Sequence, residues 1–179
     1  LGRPVLQVTQ SFNAGTAGKD ASAVCTAYDA AGRPKQVSNP FFLPGTVGGN
    51  PAPAANTCTA AGLAWTTTSY DALGRPVQVT TPNDTGGTIT VAMAYNGLAT
   101  TTTNPRGHPT TETRNALGEV VQVTDALGTA NAYSYFADGT LERVRRGVGR
   151  GDVDNTFVYD ALGRKTQQVD PDSGTTQFT

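Results

Sequence analysis

The sequence predicts an all-β fold in which antiparallel hairpins lie side by side as repeats of a curved or spiralling sheet. Three observations carry this. A six-residue pattern ending in Gly-Arg returns along the chain. Apolar residues alternate with Thr and Gln in the stretches between its copies, the period of a half-buried strand. Gly or Pro interrupts nearly every window of a dozen residues, which leaves little room for a helix.

The pattern has four near-copies: Tyr28 to Arg33, Tyr70 to Arg75, Arg114 to Glu119 and Tyr159 to Arg164. A fifth, Tyr135 to Gly139, keeps Tyr and Gly but moves the acid, and a sixth is cut to Gly2-Arg3-Pro4 at the amino end. The glycines at 32, 74, 118, 139 and 163 are separated by 42, 44, 21 and 24 residues. A unit of 21 to 24 residues accounts for all four spacings, with Tyr95-Asn96-Gly97 marking one long gap and the atypical stretch 41–63 occupying the other. Within a unit, glycines at 107, 118, 128 and 139 step by 10 or 11 residues. A four-residue turn then leaves six or seven residues per strand, an ordinary length.

Each part of the unit has a local cause. The Asp side chain of Asp-Ala-Leu-Gly accepts from a backbone N–H two residues on, and Gly takes positive φ without steric cost. Asn115 caps in the same way. Gly128, which closes the turn opened by Asp125, belongs to the intervening series. Pro34 and Pro76 follow their turns and belong at the first residue of a strand, where a missing N–H costs least. Val37, Val79, Val123 and Val144 each lie five residues past a turn glycine, while Val8 and Val169 lie six past, the spacing of a one-residue bulge or a longer turn. Return strands are expected at 64–70, 88–95, 130–135 and 156–159, with Ile89, Val91, Met93 and Tyr95 on one face.

Composition limits the chemistry. The chain has 179 residues, about one domain. Its 13 Lys and Arg against 14 Asp and Glu, without a long basic run, argue against a nucleic-acid surface. No run of about 20 apolar residues spans a membrane. A single His, His108 in an Asn-Pro-Arg-Gly-His-Pro turn, and two Cys leave few ways to build a nucleophilic triad or a metal cluster, so the chain reads as a non-enzyme with no cofactor and no metal. Cys25 and Cys58 form either one disulfide, which would imply an oxidising compartment, or two buried thiols. The segment 41–58, with Phe41 and Phe42, is either a cover held over the sheet or a displayed loop.

The repeated residues carry alternatives of their own. Tyr28, Tyr70, Tyr95, Tyr135 and Tyr159 form either a packed cross-strand ladder or a platform for glycan or peptide. Asp29, Asp71, Asn115, Asp125 and Asp160 suit turn capping; calcium wants six to eight oxygens and each turn offers one firm carboxylate. The clusters at 152–155 and 170–172 are the richer places for it. Arg33, Arg75 and Arg164 either pair with the Asp four residues earlier, lie along the Tyr ring of a neighbouring unit, or form an anion-binding row.

The Tyr28, Tyr70 and Tyr159 motifs and the period near 21 resemble the YD/RHS repeat family, rearrangement-hotspot proteins with relatives among toxin-complex C components and teneurins. The resemblance implies a long antiparallel sheet of hairpins that spirals into a shell and can enclose a toxic C-terminal domain. It also implies about seven units in one repeat region, residues 1–179, interrupted at about 41–63 and cut at both ends from a longer array. The self-cleaving aspartates of that family have no counterpart here; Asp170-Pro171-Asp172 reads as a turn. The function implied is a structural scaffold of a secreted or cell-surface bacterial protein, a wall around toxin cargo. Its partners would be neighbouring repeats of a longer parent chain, or other copies joined through sheet edges. An extracellular adhesion or recognition module with a surface ligand, and a self-assembling β-fibre capped by segments such as 11–19 and 172–179, are the alternatives.

Overall fold

A computed structural model describes residues 5–10, 21–43, 57–59, 62–149 and 151–179. The sixth motif copy at 2–4, the segment 11–19 and most of 41–63 therefore lie outside the described residues. The fold is all-β. The strands are β1 (Leu6–Gln10), β2 (Ala21–Tyr28), β3 (Pro34–Ser38), β4 (Phe41–Phe42), β5 (Trp65–Tyr70), β6 (Pro76–Pro82), β7 (Thr88–Asn96), β8 (Ala99–Thr103), β9 (Pro109–Arg114), β10 (Val120–Thr124), β11 (Ala130–Tyr135), β12 (Leu141–Val148), β13 (Val153–Tyr159), β14 (Lys165–Asp170) and β15 (Gly174–Gln177). A one-turn 3-10 helix covers Thr57–Thr59. Among the described residues, no helix is long and apolar enough to cross a membrane.

Nearly every strand pairs with its sequence neighbours, in the order β1-β2-β3-β5-β6-β7 and onward to β15, with β4 added to β2. The contacts fall into two compact units, Leu1–Val91 and Ala92–Thr179. In the first, the amino half of β2 pairs with β1 and with β4, and its carboxyl half pairs with β3. β3 then pairs directly with β5. The 42-residue spacing between Gly32 and Gly74 is thus filled, among the described residues, by β3, the short β4, the 3-10 turn and β5. In the second unit, β8 to β15 follow one another as an antiparallel meander.

Alternation holds where it can be read. In β7, Val91, Met93 and Tyr95 are half-buried while Ala92, Ala94 and Asn96 are exposed; Ile89 departs from its face and is exposed. In β2, Ala21, Ala23 and Cys25 are buried and alternate with half-buried Ser22 and Val24. The deep core is small. In the first unit Ala21, Ala23 and Leu43 are buried together, with Leu6 and Phe41 packed against them. In the second, Ala130 and Asn155 are buried. Most other strand side chains are half-buried, so stability rests on strand-to-strand contacts more than on a central core.

The turns come in two kinds. Those ending at Gly32, Gly74, Gly118, Gly139 and Gly163 each close with an i to i+3 backbone bond, as from the Gly74 N–H to the Asp71 carbonyl, 3.0 Å. Gly74 and Gly163 stand at φ +83° and +75°, the left-handed position that follows a type I turn in a bulged hairpin. In all five the register then slips by one residue, leaving Lys35, Val77, Val121, Glu142 and Thr166 as the extra residue, three past the glycine. The hairpins at Gly107 and Gly128 run without that slip. Within each unit antiparallel pairing sends successive turns to opposite ends of the strands, so the bulged turns share one end.

Candidate functional site

The bulged turns hold the residues singled out in the sequence. In four of the five, the side-chain Oδ1 of the first turn residue accepts backbone N–H groups; the Gly139 turn opens on Phe136, and its acceptor is Asp138 Oδ1, which takes the Thr140 N–H. Asp71 Oδ1 accepts from Leu73 and Arg75, Asp160 Oδ1 from Leu162 and Arg164, and Asn115 Oδ1 from Leu117 and Glu119, all at 2.9–3.0 Å. Asp29 Oδ1 accepts from the Arg33 N–H at 2.8 Å. The unslipped turns use the same cap: Asp125 Oδ1 accepts from Leu127 and Thr129, and Asn104 Oδ1 from Arg106 and His108. His108 sits exposed in that last turn.

The second carboxylate oxygen faces the Arg after the glycine. Arg33 Nε donates to Asp29 Oδ2 at 2.7 Å, Arg75 Nε to Asp71 Oδ2 at 2.8 Å and Arg164 Nε to Asp160 Oδ2 at 2.7 Å. The backbone N–H of Arg33 holds the Asp29 carboxyl below its ordinary value, aided by the guanidinium, and Arg75 and Arg164 do the same to Asp71 and Asp160. The Arg114–Glu119 copy inverts the pair. Asn115 Nδ2 donates to Glu119 Oε2 at 2.6 Å, so an amide and a carboxylate replace a carboxylate and a guanidinium. Arg114, where other copies have Tyr, donates to the Gly118 carbonyl and pairs with Glu112.

The tyrosines join one hairpin to the next. Tyr70 Oη donates to the Pro34 carbonyl at 2.7 Å, and Tyr135 Oη to the Val120 carbonyl at 2.8 Å. Both acceptors lie two residues past a turn glycine. They also lie beyond the paired residues of the β3–β5 and β10–β11 ladders, so the hydroxyl reaches carbonyls that those ladders leave unpaired. Arg33 stacks on the Tyr70 ring, 4.5 Å from its centroid, and donates to the Asp71 carbonyl. Burial, reinforced by the Glu119 charge, pushes the Tyr135 hydroxyl up from its ordinary value. Tyr159 packs edge-on against Phe136 at 6.2 Å, and Tyr28 and Tyr95 are half-buried.

The remaining features lie outside the turn row. Cys25 and Cys58 are bridged, which ties the 3-10 turn at Thr57–Thr59 to buried β2. Across β12, β13 and β14, Arg145 pairs with Asp154, and Arg146 with Asn155 and Asp170. Asp152, Asp154 and Asp170 thus meet arginines, and no three of His, Cys, Asp or Glu gather as a metal site among the described residues. The sequence suggests a bulge only before Val8 and Val169, and gives neither the slip common to all five turns nor the Asn115–Glu119 inversion nor the tyrosine-to-carbonyl bonds. Only the inversion had a visible signal, since Asn and Glu replace Asp and Arg in the same copy.

No protein-family model matches the chain and no curated protein matches it. Solved structures do. A crystal structure titled TcdB2-TccC3 superposes with a TM-score of 0.54 at 16% identity, over 84% of this chain and 9% of that one. A TcdB2-TccC3 structure without its hypervariable C-terminal region superposes at 0.52 and 13% identity, over 92% of this chain and 10% of that one. A Tc holotoxin pore of Photorhabdus luminescens superposes at 0.52 and 14% identity, over 85% of this chain and 9% of that one. The all-β fold of this chain is shared with a stretch of these toxin-complex chains, and the chain spans about a tenth of their length.

Proposed function

We propose that the chain is a length of structural wall, a run of YD/RHS-type hairpins whose contacts with one another are its function. The observation that carries the reading is the turn row. Tyr70 and Tyr135 spend their hydroxyls on carbonyls of the preceding hairpin, and Arg33 covers the Tyr70 ring. A recognition platform would instead present ring faces and hydroxyls to solvent. In this reading the units continue into a longer parent chain, the wall encloses a toxin cargo, the protein is secreted by a bacterium, and the chain performs no catalysis itself. The Cys25–Cys58 bridge supports an oxidising destination.

Limited proteolysis of the full-length protein that carries these residues tests it. The wall reading expects a large resistant shell with a further polypeptide protected inside, which becomes cleavable once the shell is opened by denaturant. Immediate trimming to an isolated repeat fragment, with no protected polypeptide, overturns it.

A further inference from the structure

Three successive turn pairs within the units show what lies between one bulged turn and the next, and the third differs from the other two. Between the Gly32 and Gly74 turns the gap is occupied by Arg33. Its guanidinium stacks on Tyr70, donates to the Asp71 carbonyl at 3.3 Å and ends 3.5 Å from where a Gly74 Cβ would stand. Between the Gly118 and Gly139 turns the same place is taken by Glu119, whose Oε1 lies 3.4 Å from the corresponding point at Gly139. Between the Gly139 and Gly163 turns the matching residue is Thr140. It is too short to cross, and its hydroxyl turns back to Asp138 Oδ1 at 2.7 Å. Nothing lies within 4 Å of the point where a Gly163 Cβ would stand.

The result is a surface cleft of about 470 Å³, lined by Phe136, Asp138, Thr140, Val158, Tyr159 and Asp160. One wall repeats the first gap, while Phe136, edge-on to Tyr159, stands at the turn position that Asp29 holds there. Tyr159 stands where Tyr70 does and Asp160 where Asp71 does. The Asp160 carbonyl accepts the Gly163 N–H as the Asp71 carbonyl accepts that of Gly74, and in the first gap that carbonyl also takes a guanidinium. The charge is right for a cation. The Thr140 hydroxyl and N–H, both on Oδ1, hold the Asp138 carboxyl below its ordinary value, and its second oxygen is the one a cation would take. A carboxylate, the occupant of the second gap, is accommodated there by the Asn115 amide; in this cleft it would meet Asp138 instead.

We propose that this cleft binds an arginine side chain presented by a partner polypeptide, its guanidinium against the Tyr159 ring and its N–H groups on Asp138 and the Asp160 carbonyl. The first gap of the same chain is the precedent for the ring and carbonyl contacts; the carboxylate differs, since Asp29 is the first residue of its turn and Asp138 the third of its own. The inference does not depend on the wall reading, since it concerns one cleft and one side-chain chemistry.

The test is a titration of the intact chain with N-acetyl-arginine amide and with its neutral isostere N-acetyl-citrulline amide, followed by amide chemical shifts. The arginine probe is expected to move Thr140, Tyr159, Asp160 and Gly163 saturably, and to bind about fivefold more tightly than the citrulline probe, the size of an exposed cation–π contact. Thr140→Arg supplies the side chain internally and is expected to abolish the response. Asp138→Asn, which keeps the Oδ1 acceptor, is expected to weaken it. Equal binding of the two probes, undiminished binding to Thr140→Arg, shifts that map elsewhere, or the lack of any saturable shift overturns the proposal.

Discussion

The turn aspartate acts through two oxygens with separate jobs. Oδ1 organises the backbone of the turn and Oδ2 holds the arginine that follows it. Because the folded carboxyls of Asp29, Asp71 and Asp160 titrate below their ordinary value of 3.8, the native chain binds fewer protons there than the unfolded chain. Their contribution is complete above 3.8 and is lost as pH falls through the folded values. Thermal melts across pH 2 to 6 are therefore expected to show an acid limb below about pH 4, shallower in Asp160→Asn, which keeps the cap and loses the titration. The inverted copy gives a sharper test. Asn115→Asp sets two carboxylates against each other where Asn115 now donates to Glu119, and should cost about 1 kcal/mol at neutral pH. Adding Glu119→Arg restores the form seen at Asp71 and Arg75 and should return most of it, as read by urea denaturation. Gly163→Ala meets nothing within 4 Å, so its cost is conformational alone, about 1–2 kcal/mol for a side chain held in the left-handed region. Caps and glycines were legible because both act within five residues. The Asn-for-Asp exchange was legible as a cap and the change of sign at Glu119 stands in the same copy, but that the two side chains meet is a contact that spacing does not reveal.

Strands and turns are where local sequence predicted most. The return strands at 64–70, 88–95 and 130–135 match β5, β7 and β11 to within a residue, while β13 begins at Val153, three residues before the expected start. Those segments were readable because β-branched and aromatic residues are bounded by Gly or Pro. The slip three residues past each bulged glycine was not, since no one side-chain type is common to Lys35, Val77, Val121, Glu142 and Thr166. A bulge is a property of pairing between two strands rather than of one strand's composition. The link between hairpins has its own consequence. Tyr70→Phe and Tyr135→Phe each remove one hydroxyl donor and leave a carbonyl to water, with an expected loss of about 0.5–1.5 kcal/mol. Tyr135 adds an alkaline signature. Its folded hydroxyl titrates above its ordinary value of 10.0, so its contribution is complete below 10.0 and is lost as pH rises through the folded value. Chemical denaturation between pH 9 and 12 should show a decline that Tyr135→Phe reduces.

For the molecule as a whole, the two units differ in what secures them. The first contains the bridge from Cys25 to Cys58, which closes 33 residues of separation around β3, β4 and the 3-10 turn. Reduction should release about 3–4 kcal/mol of constraint on the unfolded chain. It is expected to raise amide exchange in β1, β2 and β4 and to leave β10 to β14 unchanged. The second unit relies on the capped turns and on the charged rows of β12, β13 and β14. The direct pairing of β3 with β5 was hidden from the sequence: a spacing near twice the unit reads as two units, and only strand pairing shows one pair with an excursion between. At the far end β15 is exposed along its whole length and pairs on one side with β14, an edge ready to continue into another strand. Side-chain resolution electron microscopy of the full-length protein puts the central claim to its most direct trial. The account predicts that a further strand hydrogen-bonds to the outer edge of β15 and that Tyr70 and Tyr135 remain bonded to the neighbouring hairpins. A solvent-exposed β15 edge together with tyrosines turned outward onto a ligand would contradict it.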